Sequence, residues 1–223
     1  MSNKNSLNSL ILGLCLFAVA FLISRAQFFV CPTVEIQNDS GTYIIWISGH
    51  LERGLIPHIN VIPIGYPLII EVVTHIKDSV YSIVGFQLLL TFISFSSFLF
   101  IIWRFYSKSI YYLSLVCLMI YVQVPNNLFY DISITSESVY NSSLILLVSA
   151  LVGFFNNPNK KFASFLSLAL ALPILFRPNG LFAIVIFLLL IVFIFQSYQK
   201  KLLISFIFPF SFLAIRQIFE CTL

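Results

Sequence analysis

Residues 181–195 read Leu-Phe-Ala-Ile-Val-Ile-Phe-Leu-Leu-Leu-Ile-Val-Phe-Ile-Phe, without one polar side chain. Lipid offers the backbone no hydrogen bonds, so only helices and closed β-barrels cross it. A barrel strand alternates apolar and polar residues over about ten positions. This stretch is apolar on every side, and so predicts a helix.

Working outward, the charges serve as a ruler. Residues 5–24, 79–103, 109–130, 138–159 and 178–199 carry none. Two shorter gaps follow the same pattern, 162–176 and 202–215. A spanning helix needs roughly 17–25 apolar residues. Five gaps meet this outright, and the short two do so if an arginine at one end lies within the membrane thickness. The expected fold is an all-α polytopic membrane protein with about seven transmembrane helices. It forms a single transmembrane domain, 1–223, with a long first extracytoplasmic loop at 26–78.

Composition agrees. Hydrophobic residues make up 60% of the 223 and charged residues 9%, and the mean hydropathy is +1.01. Soluble domains average roughly 45–50% apolar and about 25% charged. A water-soluble enzyme and a disordered chain are excluded. The formal charge of +4 is scattered rather than clustered, which argues against a nucleic-acid partner. Phenylalanine is frequent, at 25 copies, and carries no mechanistic signal.

Orientation follows from the basic residues. With the N-terminus cytoplasmic, Lys4, Arg104, Lys108, Lys160, Lys161, Lys200 and Lys201 fall on the inner side, with no acid among them. All eight acids fall outside: Glu35, Asp39, Glu52, Glu71, Asp78, Asp131, Glu137 and Glu220. Arg25, Arg53, Lys77, Arg177 and Arg216 join them. This obeys the positive-inside rule and turns the polar chemistry toward a periplasm, the cell exterior or a lumen. Ala18-Val19-Ala20 resembles a signal-peptide cleavage triplet, but it lies in the middle of an apolar run longer than such peptides use. The first helix is therefore read as retained.

The first outer loop is long, and long loops tend to carry function. Asp39-Ser40-Gly41-Thr42 reads as a helix start. An amphipathic helix over 42–53, carrying Tyr43, Trp46 and His50, suits the membrane interface. Pro57-His58 and Pro63-Ile64-Gly65-Tyr66-Pro67 fix turns, and a second interfacial helix follows over about 67–77.

Among the candidates for chemistry, Arg177 stands out. It lies 16 residues beyond Lys161, about 24 Å of helix, against a hydrocarbon core of about 30 Å. An arginine at that depth needs a partner or a water-filled cavity. Pro173 and Pro178-Asn179-Gly180 end the helix around it. Its planar fork suits a phosphate; snorkelling to the interface, or pairing with Glu137, is the alternative. Arg216 has similar geometry near the chain end. Asp39 could act as a general base or simply cap a helix. Glu137 opens the fourth helix in Ser136-Glu137-Ser138, where the helix dipole favours an acid, and Asn141 lies one turn on, on the same face. His50, His58 and His75 fit no metal-ligand spacing, so no metal cofactor is expected. Cys15 and Cys117 read as small apolar helix residues. Cys31 and Cys221 fall outside, where a disulfide between them would be stable.

In order, these features resemble the N-terminal module of the GT-C glycosyltransferases, which use polyprenyl-phosphate sugars; protein O-mannosyltransferases and lipid A aminoarabinose transferases are members. The resemblance rests on Asp39-Ser40-Gly41-Thr42-Tyr43, on His58 to Leu68 (His-x-x-x-x-Pro-x-Gly-Tyr-Pro-Leu), on Ser136-Glu137-Ser138 and on Phe176-Arg177-Pro178-Asn179-Gly180. It runs from about residue 8 to 217. It implies transfer of a sugar from a polyprenyl-phosphate donor to a lipid, glycan or protein acceptor hydroxyl, with inversion. Asp39 would take the acceptor proton, and Arg177 would stabilise the departing lipid phosphate. His58, Glu137, Tyr43, Tyr66 and Asn141 would bind substrate, and a bilayer-facing cavity would take the prenyl chain. The leaving phosphate needs no paired acid, unlike a glycoside hydrolase. Members usually continue beyond seven helices, so the resemblance also implies a second expectation: a truncated or non-catalytic module that partners a larger membrane subunit. A transporter ranks last, because the charges lie toward one face and no internal repeat is visible.

Overall fold

The structure, a computed structural model, describes residues 7–30, 65–77 and 79–177, together with Val34, Tyr43, Gly180, Phe182 and Val185. Among the described residues the helices are α1 Leu7–Ser24, α2 Ala26–Val30, α3 Gly65–Ile76, α4 Val80–Phe105, α5 Lys108–Val122, α6 Pro125–Ile132, α7 Ser136–Asn156 and α8 Lys160–Phe176. Among the described residues the chain is helical, with no strand.

The helix directions follow from their contacts. Tyr111, near the start of α5, donates to the Leu10 carbonyl at 3.4 Å, while Gln123 just past its end donates to Ala20 at 3.2 Å. Helices α1 and α5 therefore run parallel. Gly13 permits this approach, because a Cβ there would overlap the Tyr111 hydroxyl. Helix α4 packs along α7, with Thr91 against Ser142 and Ile101 against Gly153, so these two are also parallel. Helix α8 returns along α7 after a turn in which Asn159 caps it by accepting from the Phe162 amide at 2.9 Å.

One end of the bundle gathers the α4–α5 and α7–α8 turns. Asn156 donates to the Tyr106 hydroxyl there at 3.3 Å, and the Phe105 and Phe162 rings lie 5.7 Å apart. Arg104, Lys108, Lys160 and Lys161 occupy these turns and the helix ends beside them. Arg25, Asp131, Glu137 and Arg177 lie at the opposite ends of their helices.

The core has three parts. Phe17, Phe21, Phe95, Leu99 and Tyr111 join α1, α4 and α5. Ala150, Phe154, Leu166 and Ala169 join α7 and α8. Tyr43, Tyr66, Ile70, Val139 and Phe176 gather around α3. The outward residues are apolar as well: Leu12, Leu16, Val19, Ile23, Leu89, Ile93, Leu113, Val116 and Ile120 are all exposed. Rows this large are costly in water and suit lipid. Among the described residues three helices, α1, α4 and α7, are long and apolar enough to cross a membrane, and α5 with α6 would make a fourth if counted as one span. This is consistent with a multi-pass helical membrane protein.

The uncharged run 109–130, expected as one helix, is two. Helix α6 leaves α5 at an angle of 66°. Val124 between them is extended, and Pro125 takes the first position of α6. Proline disfavours helical backbone in the residue before it and offers no N–H to continue the ladder, so the break falls at this point. The helix expected over about 67–77 is present as α3 and begins at Gly65, with Pro67 tolerated in its first turn. The interfacial helix at 42–53, apart from Tyr43, and the spans expected over 178–199 and 202–215, apart from Gly180, Phe182 and Val185, lie outside the described residues.

Candidate functional site: two ion pairs on one turn of α7

The first turn of α7 is flanked by two polar networks. The inner one centres on Arg25, directly after α1. Its Nε and Nη2 bond Asp131 Oδ2, its Nη1 donates to the Val122 carbonyl at 3.1 Å and to Ser24, and its guanidinium carbon lies 4.1 Å from the Phe21 ring centroid. The other Asp131 oxygen accepts from Ser138 at 2.7 Å and Thr91 at 3.2 Å. The two side chains are 1% and 6% exposed. A buried pair is tolerable only when the remaining donors and acceptors are satisfied, and this one meets that condition. Beside it lies a cavity of about 20 Å³ lined by Asn127, Tyr130 and Asn141 among others, enough for one water molecule.

The outer network centres on Arg177, which ends α8. Pro173 lies inside the last turn, and the Arg177 backbone is extended, so its side chain leaves the helix where the ladder stops. Its Nη2 bonds Glu137 Oε1, its Nε donates to Ser136 Oγ at 3.2 Å, and its guanidinium carbon lies 5.8 Å from the Tyr140 ring centroid. Arg177 is 30% exposed and Glu137 20%, so this pair is reachable where the inner one is sealed.

Two tyrosines close the outer network, Tyr66 on α3 and Tyr43 packed against it. Tyr43 donates to Ser136 Oγ at 3.2 Å and meets Tyr66 edge-on with ring centroids 4.7 Å apart. Tyr66 is fully buried and donates to Gln87 Oε1 at 2.9 Å, while Gln87 donates to the Ser133 carbonyl at 3.0 Å. Burial first, then the neighbouring Tyr43 and the Glu137 carboxylate, push the Tyr66 phenol well above its ordinary value.

An apolar cavity of about 340 Å³ opens between α3, α4, α7 and α8, with Gly65 and Phe176, the chain neighbours of Tyr66 and Arg177, among its walls. Phe176, Leu175, Gly65, Leu68, Phe86 and Leu146 are among its walls. Its shape depends on Gly65, where a Cβ would lie 2.5 Å from the Leu175 carbonyl oxygen.

The residues expected to form a site are therefore brought together in part. Arg177, Glu137, Tyr43 and Tyr66 converge, and Arg177 pairs with Glu137, the alternative partner named for it above. Asn141 stands apart, lining the small inner cavity rather than the Arg177 site. Asp39, His58, Arg216, Cys31 and Cys221 lie outside the described residues. Cys15 and Cys117 are free and exposed on their helices. Among the described residues, no three of His, Cys, Asp and Glu meet as metal ligands.

No protein-family model, curated protein or solved structure matches this chain.

The inner pair is the feature that the sequence reading missed. A signal was present. Gln87 and Thr91 are four residues apart inside an uncharged span, as are Ser138 and Ser142. Such spacing sets two polar side chains on one helix face, and two such faces in lipid imply a shared polar partner.

Proposed function

We propose that the protein is a multi-pass membrane glycosyltransferase module of the GT-C type, with about seven spanning helices and a cytoplasmic N-terminus. It moves a sugar from a polyprenyl-phosphate carrier to an acceptor hydroxyl at the extracytoplasmic face. The observation that carries this reading is that Phe176, the residue before Arg177, is a wall of the apolar cavity. A partly exposed guanidinium one residue along the chain from an apolar space suits an amphiphile with an anionic head and a hydrocarbon tail. The tail would occupy the space between α3, α4, α7 and α8, and the phosphate would sit on Arg177.

Departure of the sugar leaves a lipid phosphate whose added charge Arg177 would stabilise, a contribution that grows along the reaction. Asp39 would accept the acceptor proton, and Tyr43, Tyr66 and His58 would shape the pocket. These assignments rest on the sequence resemblance. The test is sugar transfer from a panel of polyprenyl-phosphate sugars by the purified protein. Loss of transfer in folded Asp39→Asn and Arg177→Gln supports the reading. Full transfer in either variant removes that residue's role, and no transfer from any donor sinks the enzyme.

A second reading has its own observation. Arg177 is already neutralised by Glu137, as it would be in a non-catalytic GT-C-like module that serves as a subunit or assembly partner. Such a module would co-purify with a larger membrane protein and leave every donor untouched.

A further inference from the structure

We propose that Glu137 is a built-in placeholder anion. Its carboxylate holds Arg177 while the site is empty and is displaced when a lipid phosphate binds. The inference rests on the lipid-phosphate reading above and adds the way in which the empty site is kept.

The two ion pairs of this protein differ in what they permit. Arg25 uses all three of its nitrogens on Asp131, Ser24 and Val122 and is sealed from solvent. Removing its partner would strand a buried charge, so that pair is fixed. Arg177 uses Nε and Nη2, and among the described residues its Nη1 has no hydrogen-bond partner. Both members are partly exposed, at 30% and 20%, so separating them strands less buried charge than separating Arg25 from Asp131 would. Screened pairs of this kind are weak, so an incoming anion with several acceptor oxygens can outcompete one carboxylate.

The surroundings make the exchange local. Ser136 Oγ holds Nε, and the Tyr140 ring lies under the guanidinium carbon, so the fork keeps its position when Glu137 leaves. Phe176, the residue before Arg177, is a wall of the apolar cavity. A chain lying in that cavity would have its head group within reach of the residue that follows Phe176, Arg177. Glu137 sits on the first turn of α7, where the helix dipole tolerates its charge without the arginine. The placeholder thus keeps the guanidinium from standing unpaired before a ligand arrives.

A carboxylate that competes with the ligand must weaken its binding. The experiment measures the affinity of dodecyl phosphate for the purified full chain in nanodiscs, with inorganic phosphate as a parallel probe. Glu137→Gln keeps the shape and removes the charge. Dodecyl phosphate should bind this variant several-fold more tightly than wild type and Arg177→Gln at least tenfold more weakly. Glu137→Asp, whose shorter arm retreats from Arg177, should fall between wild type and Glu137→Gln and serves if the amide variant does not fold. Tightening toward dodecyl phosphate alone assigns the site to a lipid head group, whereas equal tightening toward inorganic phosphate assigns it to the free anion. Wild-type binding that is unchanged or weakened in both Glu137 variants overturns the placeholder and leaves the lipid-phosphate reading standing. No binding of either probe by wild type, Glu137→Gln or Glu137→Asp overturns both.

Discussion

Glu137 and Ser138 are consecutive residues on the first turn of α7, yet they serve different ion pairs. Glu137 accepts from Arg177 of α8, and Ser138 donates to Asp131 at 2.7 Å, which in turn holds Arg25. One helical turn therefore joins a sealed pair to a reachable one. The sealed pair ties α1, α4, α6 and α7 together, and in doing so fixes the turn that presents Ser136 and Glu137 to Arg177.

The sealed pair should behave as a unit. Asp131→Asn or Arg25→Gln strands a buried charge and should destabilise the protein by about 3–5 kcal/mol. Replacing both with apolar residues of similar size, Arg25→Met with Asp131→Leu, should cost less than the sum of the two. Equilibrium unfolding in mixed micelles reads all four proteins. Strict additivity of the single effects would show that the two side chains do not depend on each other.

The reachable pair should behave in the opposite way. Arg177→Gln should change stability by no more than about 1 kcal/mol, because exposed pairs are screened by solvent, while it removes binding of a lipid phosphate. The same unfolding assay, run beside a binding assay, separates the two effects. A loss of stability as large as that of Arg25→Gln would mark Arg177 as a structural residue.

Much of this architecture was legible in the sequence because charge placement and helix length obey coarse rules. The run 79–103 forms α4, and 138–159 forms most of α7, since no charged side chain interrupts either. The break between α5 and α6 was not read, although Pro125 signals it. Counting charges treats 109–130 as one run and ignores backbone sterics. At the site, Arg177 was found because its distance from Lys161 fell short of the membrane thickness. Arg25 and Asp131 were not, because their pairing spans 106 residues of sequence and no local pattern encodes such a contact. Asn141 was grouped with Glu137 by helical spacing, which fixes a face but not which neighbour that face meets.

The apolar cavity offers a steric test. Gly65 packs against the Leu175 backbone so closely that a Cβ would lie 2.5 Å from its carbonyl oxygen. Gly65→Ala must push α3 away from α8, at a cost of about 1–3 kcal/mol typical of overpacking. It should also disturb the wall that Gly65 and Leu175 share. Weakened binding of dodecyl phosphate, with inorganic phosphate unaffected, is the expected outcome. Unchanged affinity for the long-chain probe would place the hydrocarbon tail elsewhere.

Tyr66 gives a dependence on alkaline pH. Its folded-state value is raised, first by burial and then by Tyr43 and Glu137, above an unfolded value of about 10. For a group raised in the folded state, the stabilisation is fully present below the unfolded value. It is lost as pH rises from about 10 toward the folded value. Tyr66→Phe removes that titration and also the hydrogen bond to Gln87, stranding a buried acceptor at a cost of about 1–3 kcal/mol. The variant should therefore be less stable than wild type at neutral pH, and the gap should narrow above about pH 10. Unfolding midpoints measured across that range, with phenolate absorbance followed in parallel, decide the matter. A gap that stays constant through alkaline pH would mean that Tyr66 ionises no differently in the folded and unfolded chains.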